Sequence, residues 1–167
     1  MQRRLALLTL TILAVVAFVG VVSTATSPAL AEEATQISGI AVFDEADLCD
    51  SSSMDADFAL IMSGDLEGCL YTFVETAESS PSGTYRETGT ELFVGSWGDE
   101  TGTFETTYRF EAKYEDVTDP ATEIFGRCQH PIVEGSGTGI FQDVSGIVFF
   151  KDDVEAGNLP YRGHLQY

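Results

Sequence analysis

Two histidines and a nearby arginine carry most of the chemistry this chain can offer. His130 and His164 are its only histidines. Imidazole changes charge near neutral pH, so either ring can act as a general base or as a polar handle for a ligand. Arg162 stands two residues before His164, on the same face of an extended strand. A guanidinium fork there fits a carboxylate in bidentate fashion. The structural alternatives are a strand histidine that hydrogen-bonds its neighbours and an arginine that pairs with one of 27 acids. No nucleophile motif accompanies either ring. Gly135-Ser136-Gly137 is too short for a nucleophile elbow and lacks the strand-to-helix setting. We therefore assign no catalytic residue. The candidates for ligand contact are Trp97, Tyr108, His130, Arg162 and His164.

Metal and cofactor chemistry find little support in the spacing. There is no Cys-x-x-Cys, and the histidines are far apart in sequence, so no metal ligand set is assigned. The acidic stretch Asp44 to Asp57 lacks the glycine and glutamate positions of an EF-hand. Gly135-x-Gly137-x-Gly139 does not lead into a helix, so it is not a dinucleotide or phosphate loop. Glycines so spaced permit bulges and close strand packing instead. No cofactor is expected.

The elements that must position these side chains read as strands. Residues 103–115 alternate cleanly, with Phe104, Thr106, Tyr108, Phe110, Ala112 and Tyr114 on one face. Thr103, Glu105, Thr107, Arg109, Glu111, Lys113 and Glu115 occupy the other. Further strands are expected over 36–43, 58–62, 66–76, 84–87, 91–97, 123–133, 147–150 and 159–167. Turn signals separate them at Gly64-Asp65, residues 79–83, 98–102, 116–121 and 142–146. The acidic segment 44–57 reads as a loop with room for a short helical turn. Pro131 implies an edge position or a bulge. No long amphipathic helix is present. Short strands at intervals of roughly ten residues argue an all-β sandwich or barrel. Sequential antiparallel pairing gives a small up-and-down barrel of eight strands. Aromatic side chains such as Tyr71, Phe73, Phe93, Phe104, Phe149 and Tyr161 could line its lumen, fill it or form a subunit interface.

Residues 1–31 read as an export leader. A basic start, Met1-Gln2-Arg3-Arg4, precedes an uncharged run from Leu5 to Val22, and Ala29-Leu30-Ala31 supplies a cleavage site. The mature chain, residues 32–167, holds all 27 acids but only six of the eight basic residues. Such a surface repels nucleic-acid phosphates and anionic membranes, so neither is an expected partner. Three cysteines are an odd count for an exported protein. A bridge between Cys69 and Cys128, both on strand-like segments, leaves Cys49 free. It would close a loop of about 60 residues and contribute about 4 kcal/mol. Cys49–Cys69 is the alternative.

Several motifs resemble a group of small exported bacterial proteins of unassigned function. They are Gly83-Thr84-Tyr85-x-Glu87-x-Gly89-x-Glu91, Gly126-x-Cys128-x-His130-Pro131-Ile132, Gly135-Ser136-Gly137-Thr138-Gly139-x-Phe141, Ser145-Gly146, Lys151-Asp152-Asp153 and Tyr161-Arg162-Gly163-His164. The spacing Gly137-x-Gly139-x-Phe141, then Gly146-x-x-x-Phe150, is similar to that of the allene oxide cyclase and dirigent barrels. The resemblance spans roughly residues 58–167. It implies an eight-stranded antiparallel, calycin-like barrel holding an apolar ligand or intermediate in its lumen, and it carries over no catalytic residue. The expected organisation is a leader (1–31), an N-terminal strand with its acidic loop (32–57) and the barrel (58–167). The expected function is binding of a small apolar molecule by a secreted protein. The alternatives are an isomerase or cyclase acting in the lumen and an oligomeric structural or interaction module.

Overall fold

Buried and exposed side chains alternate most clearly along residues 100–114, 123–131 and 159–166, and the sheet that holds them closes on itself. The computed structural model describes residues 34–167, so the leader assigned to residues 1–31 lies outside the described residues. Nine strands follow in chain order. They are β1 (Thr35–Phe43), β2 (Phe58–Gly64), β3 (Glu67–Ser79), β4 (Thr84–Trp97), β5 (Glu100–Tyr114), β6 (Glu123–Pro131), β7 (Thr138–Gly139), β8 (Ser145–Lys151) and β9 (Leu159–Gln166). Every pairing is antiparallel. Around the ring the order is β1-β2-β3-β4-β5-β6-β8-β9, and β9 pairs with β1 to close it. Two-residue β7 is a stub against the start of β5. The result is the eight-stranded antiparallel barrel expected from the turn spacing. Closure leaves no strand edge in the ring unpaired. β1 is one of its staves, between β2 and β9, so the barrel wall begins at Thr35 rather than at Phe58.

β4 runs unbroken where two shorter strands were expected. Gly89 makes this continuity feasible. A Cβ there would lie 2.0 Å from the Phe73 carbonyl oxygen and 2.8 Å from the Tyr108 ring. The β3–β4 register shifts just beyond the Val74–Gly89 pair, between Val74 and Thr76. A bulge facing a glycine bends the wall without ending the strand. Pro131 is also accommodated. The β5–β6 ladder stops at Arg109–Gln129 and returns only as a single bridge, Thr106–Ile132. Pro131 falls between these rungs, where its missing N–H is not needed.

The interior divides into a filled end and a hollow end. At the filled end Phe93 and Phe104 stack with centroids 4.9 Å apart, and Phe141 meets both edge-on at 5.6 and 5.1 Å. Leu66, Val144 and Leu165 complete this plug, all fully buried. The glycine run delivers Phe141. Gly139 has a φ of +59°, and a Cβ on Gly137 would overlap the Phe141 carbonyl. These glycines therefore serve the close turn that brings Phe141 inward.

The disulfide joins Cys49 to Cys69, with Cα atoms 5.8 Å apart, and Cys128 is a free, buried thiol. The expected Cys69–Cys128 bridge is thus corrected. On β3, Leu70 and Thr72 face the lumen, while Cys69, Tyr71 and Phe73 pack with an outer cluster. Cys128 lies in the lumen, so the two side chains are on opposite sides of the wall. Loop 44–57 folds over β2 and β3 and brings Cys49 to the outer face. Its turn is held by the Asp44 carboxylate, which accepts from the N–H groups of Leu48 (2.9 Å) and Cys49 (2.7 Å). The Tyr71 hydroxyl donates to the Cys49 carbonyl at 2.7 Å.

Candidate functional site

The hollow end lies among the C-terminal ends of β1, β5 and β8 and the N-terminal ends of β2, β4, β6 and β9. It holds a cavity of about 180 Å³. Phe43, Phe58, Leu60, Phe110, Phe150 and Leu159 make its walls mostly apolar. The polar lining consists of Glu87, Glu91, Tyr108, Cys128, His130 and Asp152.

Strand parity explains how acids come to line a barrel. On β4, residues 87, 89, 91 and 93 share one face, and Phe93 sits in the core. Glu91 therefore points inward and is only 3% exposed. Burying a carboxylate is costly unless hydrogen bonds replace its water. Glu91 has three such donors. Thr72 reaches Oε1 at 3.3 Å, Thr106 reaches Oε2 at 2.7 Å, and His130 Nδ1 lies 2.5 Å from Oε2. His130 is itself 3% exposed, and its Nε2 is buried with no hydrogen-bond partner. Phe150 packs edge-on to the imidazole at 4.5 Å, and Tyr108 stacks beside it at 6.1 Å. A second, water-sized void of about 10 Å³ lies between the dyad and the plug, and His130 and Glu91 line it too.

A second polar group stands nearer the mouth. Glu87 accepts from the Tyr108 hydroxyl at 2.7 Å and from the Tyr85 hydroxyl at 2.5 Å. Burial pushes both phenols well above their ordinary range, and the Glu87 hydrogen bond adds to the shift. Both stay protonated donors at any physiological pH. Burial likewise raises the Cys128 thiol, with the nearby Glu91 charge contributing, so this cysteine is no thiolate nucleophile. At the rim, the carboxyl groups of Asp152 and Glu123 converge over Gly126. A Cβ on Gly126 would meet Asp152 Oδ2 at 2.1 Å and Glu123 Oε1 at 2.8 Å. Burial, with the hydrogen bond and charge of Glu123, pushes Asp152 up to about 7. Burial and these two acids push Tyr114 up to about 12.

The five candidates from the sequence separate. Tyr108 and His130 meet in the lumen. Trp97 stacks on Tyr167 with centroids 5.9 Å apart and packs against the core away from the cavity. Arg162 is exposed and His164 half-buried, on the outer face of β9 opposite the inward Tyr161 and Leu165. The two histidines thus stand on opposite faces of the barrel wall. Glu87, Glu91, Tyr85, Glu123 and Asp152 were not among the candidates. For Glu91 and Glu87 the signal was parity: counting back by twos from Phe93 places both on the core face.

Among the described residues no group of three or more His, Cys, Asp or Glu side chains could hold a metal ion. No helix among them is long and apolar enough to cross a membrane. No known family model matches the chain, and no curated protein matches it either.

Proposed function

We propose that the protein binds a small, mostly apolar molecule at the hollow end of its barrel, with one polar group of the ligand engaging His130. The observation that carries this reading is a void of about 180 Å³ with apolar walls, lined by an imidazole whose Nε2 has no partner in the protein. A dry apolar cavity of about 150 Å³ accepts a benzene-sized guest, so a ligand of about six to ten heavy atoms fits. The glycine and phenylalanine spacing that resembles the allene oxide cyclase and dirigent barrels supports the same use of the lumen. Action outside the cytoplasm, after removal of the 1–31 leader, belongs to the proposal. The Cys49–Cys69 disulfide supports it, since such bonds persist in oxidising compartments.

Calorimetric titration with cyclohexanol and with methylcyclohexane tests the reading. Both are expected to bind, and the alcohol about tenfold more tightly, as one buried hydrogen bond to His130 would give. Leu159→Trp, which fills the cavity from its wall, is expected to abolish binding of both while leaving the fold intact. Absence of binding at millimolar ligand, or binding unchanged in Leu159→Trp, overturns it.

One observation favours a second reading. The His130–Glu91 pair has the geometry of an imidazole oriented by a buried carboxylate, as a general base requires. An isomerase-type proton transfer at Nε2 would use the same cavity. It predicts exchange of an activated C–H proton of a bound ketone with solvent deuterium, lost in His130→Gln. A simple carrier shows no such exchange.

A further inference from the structure

The outer wall of β6, β8 and β9 carries an arrangement the lumen does not use. Six basic residues lie among the described residues, in a chain with 27 acids. Five of them occupy two adjacent cross-strand rows on the outside of β4–β5–β6–β8–β9. The first row reads Arg86, Glu111, Arg127, Lys151. The second reads Arg109, Gln129, Phe149, Arg162. Glu111 is the single acid in these rows, held between Arg86 and Arg127 at 3.0 Å from each. Arg109, Lys151 and Arg162 have no ion-pair partner among the described residues. A shallow groove of about 500 Å³ crosses the patch, lined by Arg127, Gln129, Phe149, Lys151, Pro160 and Arg162. The face thus combines unneutralised cations with an exposed aromatic ring.

We propose that this groove docks a second copy of the chain through that copy's acidic loop, residues 44–57, with Leu48 entering beside Phe149. The loop offers what the groove lacks. Leu48 is 75% exposed, the most exposed large apolar side chain among the described residues, and stands among Glu45, Asp47 and Asp50. A featureless polyanion would neutralise the arginines but leave Phe149 and Pro160 without an apolar counterpart. The loop supplies both charge and apolar surface. It is also already ordered, by the Cys49–Cys69 bridge, the Asp44 turn and the Tyr71 hydrogen bond. Little conformational freedom is then lost on docking.

The placement sets the geometry of assembly. The loop covers β2 and β3, four strands around the eight-strand ring from β6 and β8. Donor and acceptor surfaces therefore lie on opposite sides of one molecule. Such a contact is heterologous and grows head-to-tail instead of closing a two-fold dimer. The large net negative charge opposes association at long range. Physiological salt screens that repulsion beyond about 8 Å and leaves the close contacts effective. This inference is independent of what the lumen holds.

Sedimentation velocity of the purified protein over a wide concentration range tests it, with Arg162→Glu and Leu48→Asp as variants. Both positions are exposed, and unchanged thermal unfolding would confirm that both variants fold. Wild type is expected to form concentration-dependent chains. Each variant alone is expected to weaken association by about 100-fold. Arg162→Glu keeps an intact loop, and Leu48→Asp keeps an intact groove. Mixing them should restore one interface and stop at a 1:1 heterodimer. A wild type that stays monomeric, a variant that still assembles, or a mixture that yields no heterodimer overturns the proposal. So does a monomer that instead binds dextran sulfate through Arg162, since the face would then serve a polyanion.

Discussion

The two ends of this barrel are built from the same eight strands yet solve the interior in opposite ways. At one end three phenylalanines and the aliphatic Leu66, Val144 and Leu165 pack closely and leave only a void of about 10 Å³ on the side of the dyad. At the other, carboxylates and hydroxyls hold one another by hydrogen bonds, and a void of about 180 Å³ remains. The difference comes from what crosses the axis. The connection from β6 to β8 turns Phe141 inward at the filled end, whereas loop 44–57 at the hollow end folds outward over β2 and β3. A small barrel has just enough interior to be filled by side chains, so a void survives only where nothing is sent in to fill it. Buried polar groups fix its shape, because each must keep its partner.

The sharpest way to break this contrast is to remove the plug. Phe141→Ala should cost about 4 kcal/mol in urea unfolding, as large-to-small changes in close-packed cores do. The half-buried Phe110 at the hollow end should cost only about 1–2 kcal/mol when changed to Ala. Comparable losses at both sites would mean that both ends are equally packed.

Next in size is the outer staple. Cys49→Ser combined with Cys69→Ser should cost about 3 kcal/mol. Intact mass after thiol alkylation of unreduced, unfolded protein should label one residue, Cys128. Labelling of Cys49 would contradict the pairing.

Glu91→Gln tests the dyad. The amide keeps the shape and its oxygen can still accept from Thr106 and His130, but a neutral oxygen accepts more weakly than a carboxylate, so a loss of about 2 kcal/mol is expected, with no change at the plug. A neutral substitution would mean that the buried carboxylate contributes no net stability.

The smallest effect concerns the rim. Asp152 has its carboxyl raised to about 7 by burial and by Glu123, against 3.8 for an ordinary aspartate. The folded state then holds a proton that the unfolded chain releases. Stability from this group is present below about 4 and is lost as pH rises through 7. Asp152→Asn should melt like wild type at pH 4 and at a higher temperature at pH 8, by less than about 1 kcal/mol given its partial exposure. A variant less stable at pH 8 would reverse the expected sign.

Legibility in the sequence divides along similar lines. Residues 103–115 alternate so cleanly that the inward face of β5 was legible outright. The turns at Gly64-Asp65 and 79–83 were legible as well. β3 was not, because Tyr71 and Phe73 pack outside under the loop while Leu70 and Thr72 pack inside. A strand apolar on both faces hides its parity, and with it the side of the wall that Cys69 occupies. The carboxylates of Glu87 and Glu91 look like surface charges until Phe93 fixes their face. Arg162 and His164 do share a face, but that face is outside, where Tyr161 and Leu165 put it.

The central claim is that the hollow end, and not the outer wall, receives the small apolar ligand. The two histidines report on the two places separately. Nitrogen-15 NMR of the imidazole rings during titration with cyclohexanol is therefore the most direct measurement. Binding at the hollow end predicts that His130 Nε2 shifts and saturates with the calorimetric affinity while His164 stays fixed. A shift at His164 alone, or movement of neither ring at saturating alcohol, would contradict it.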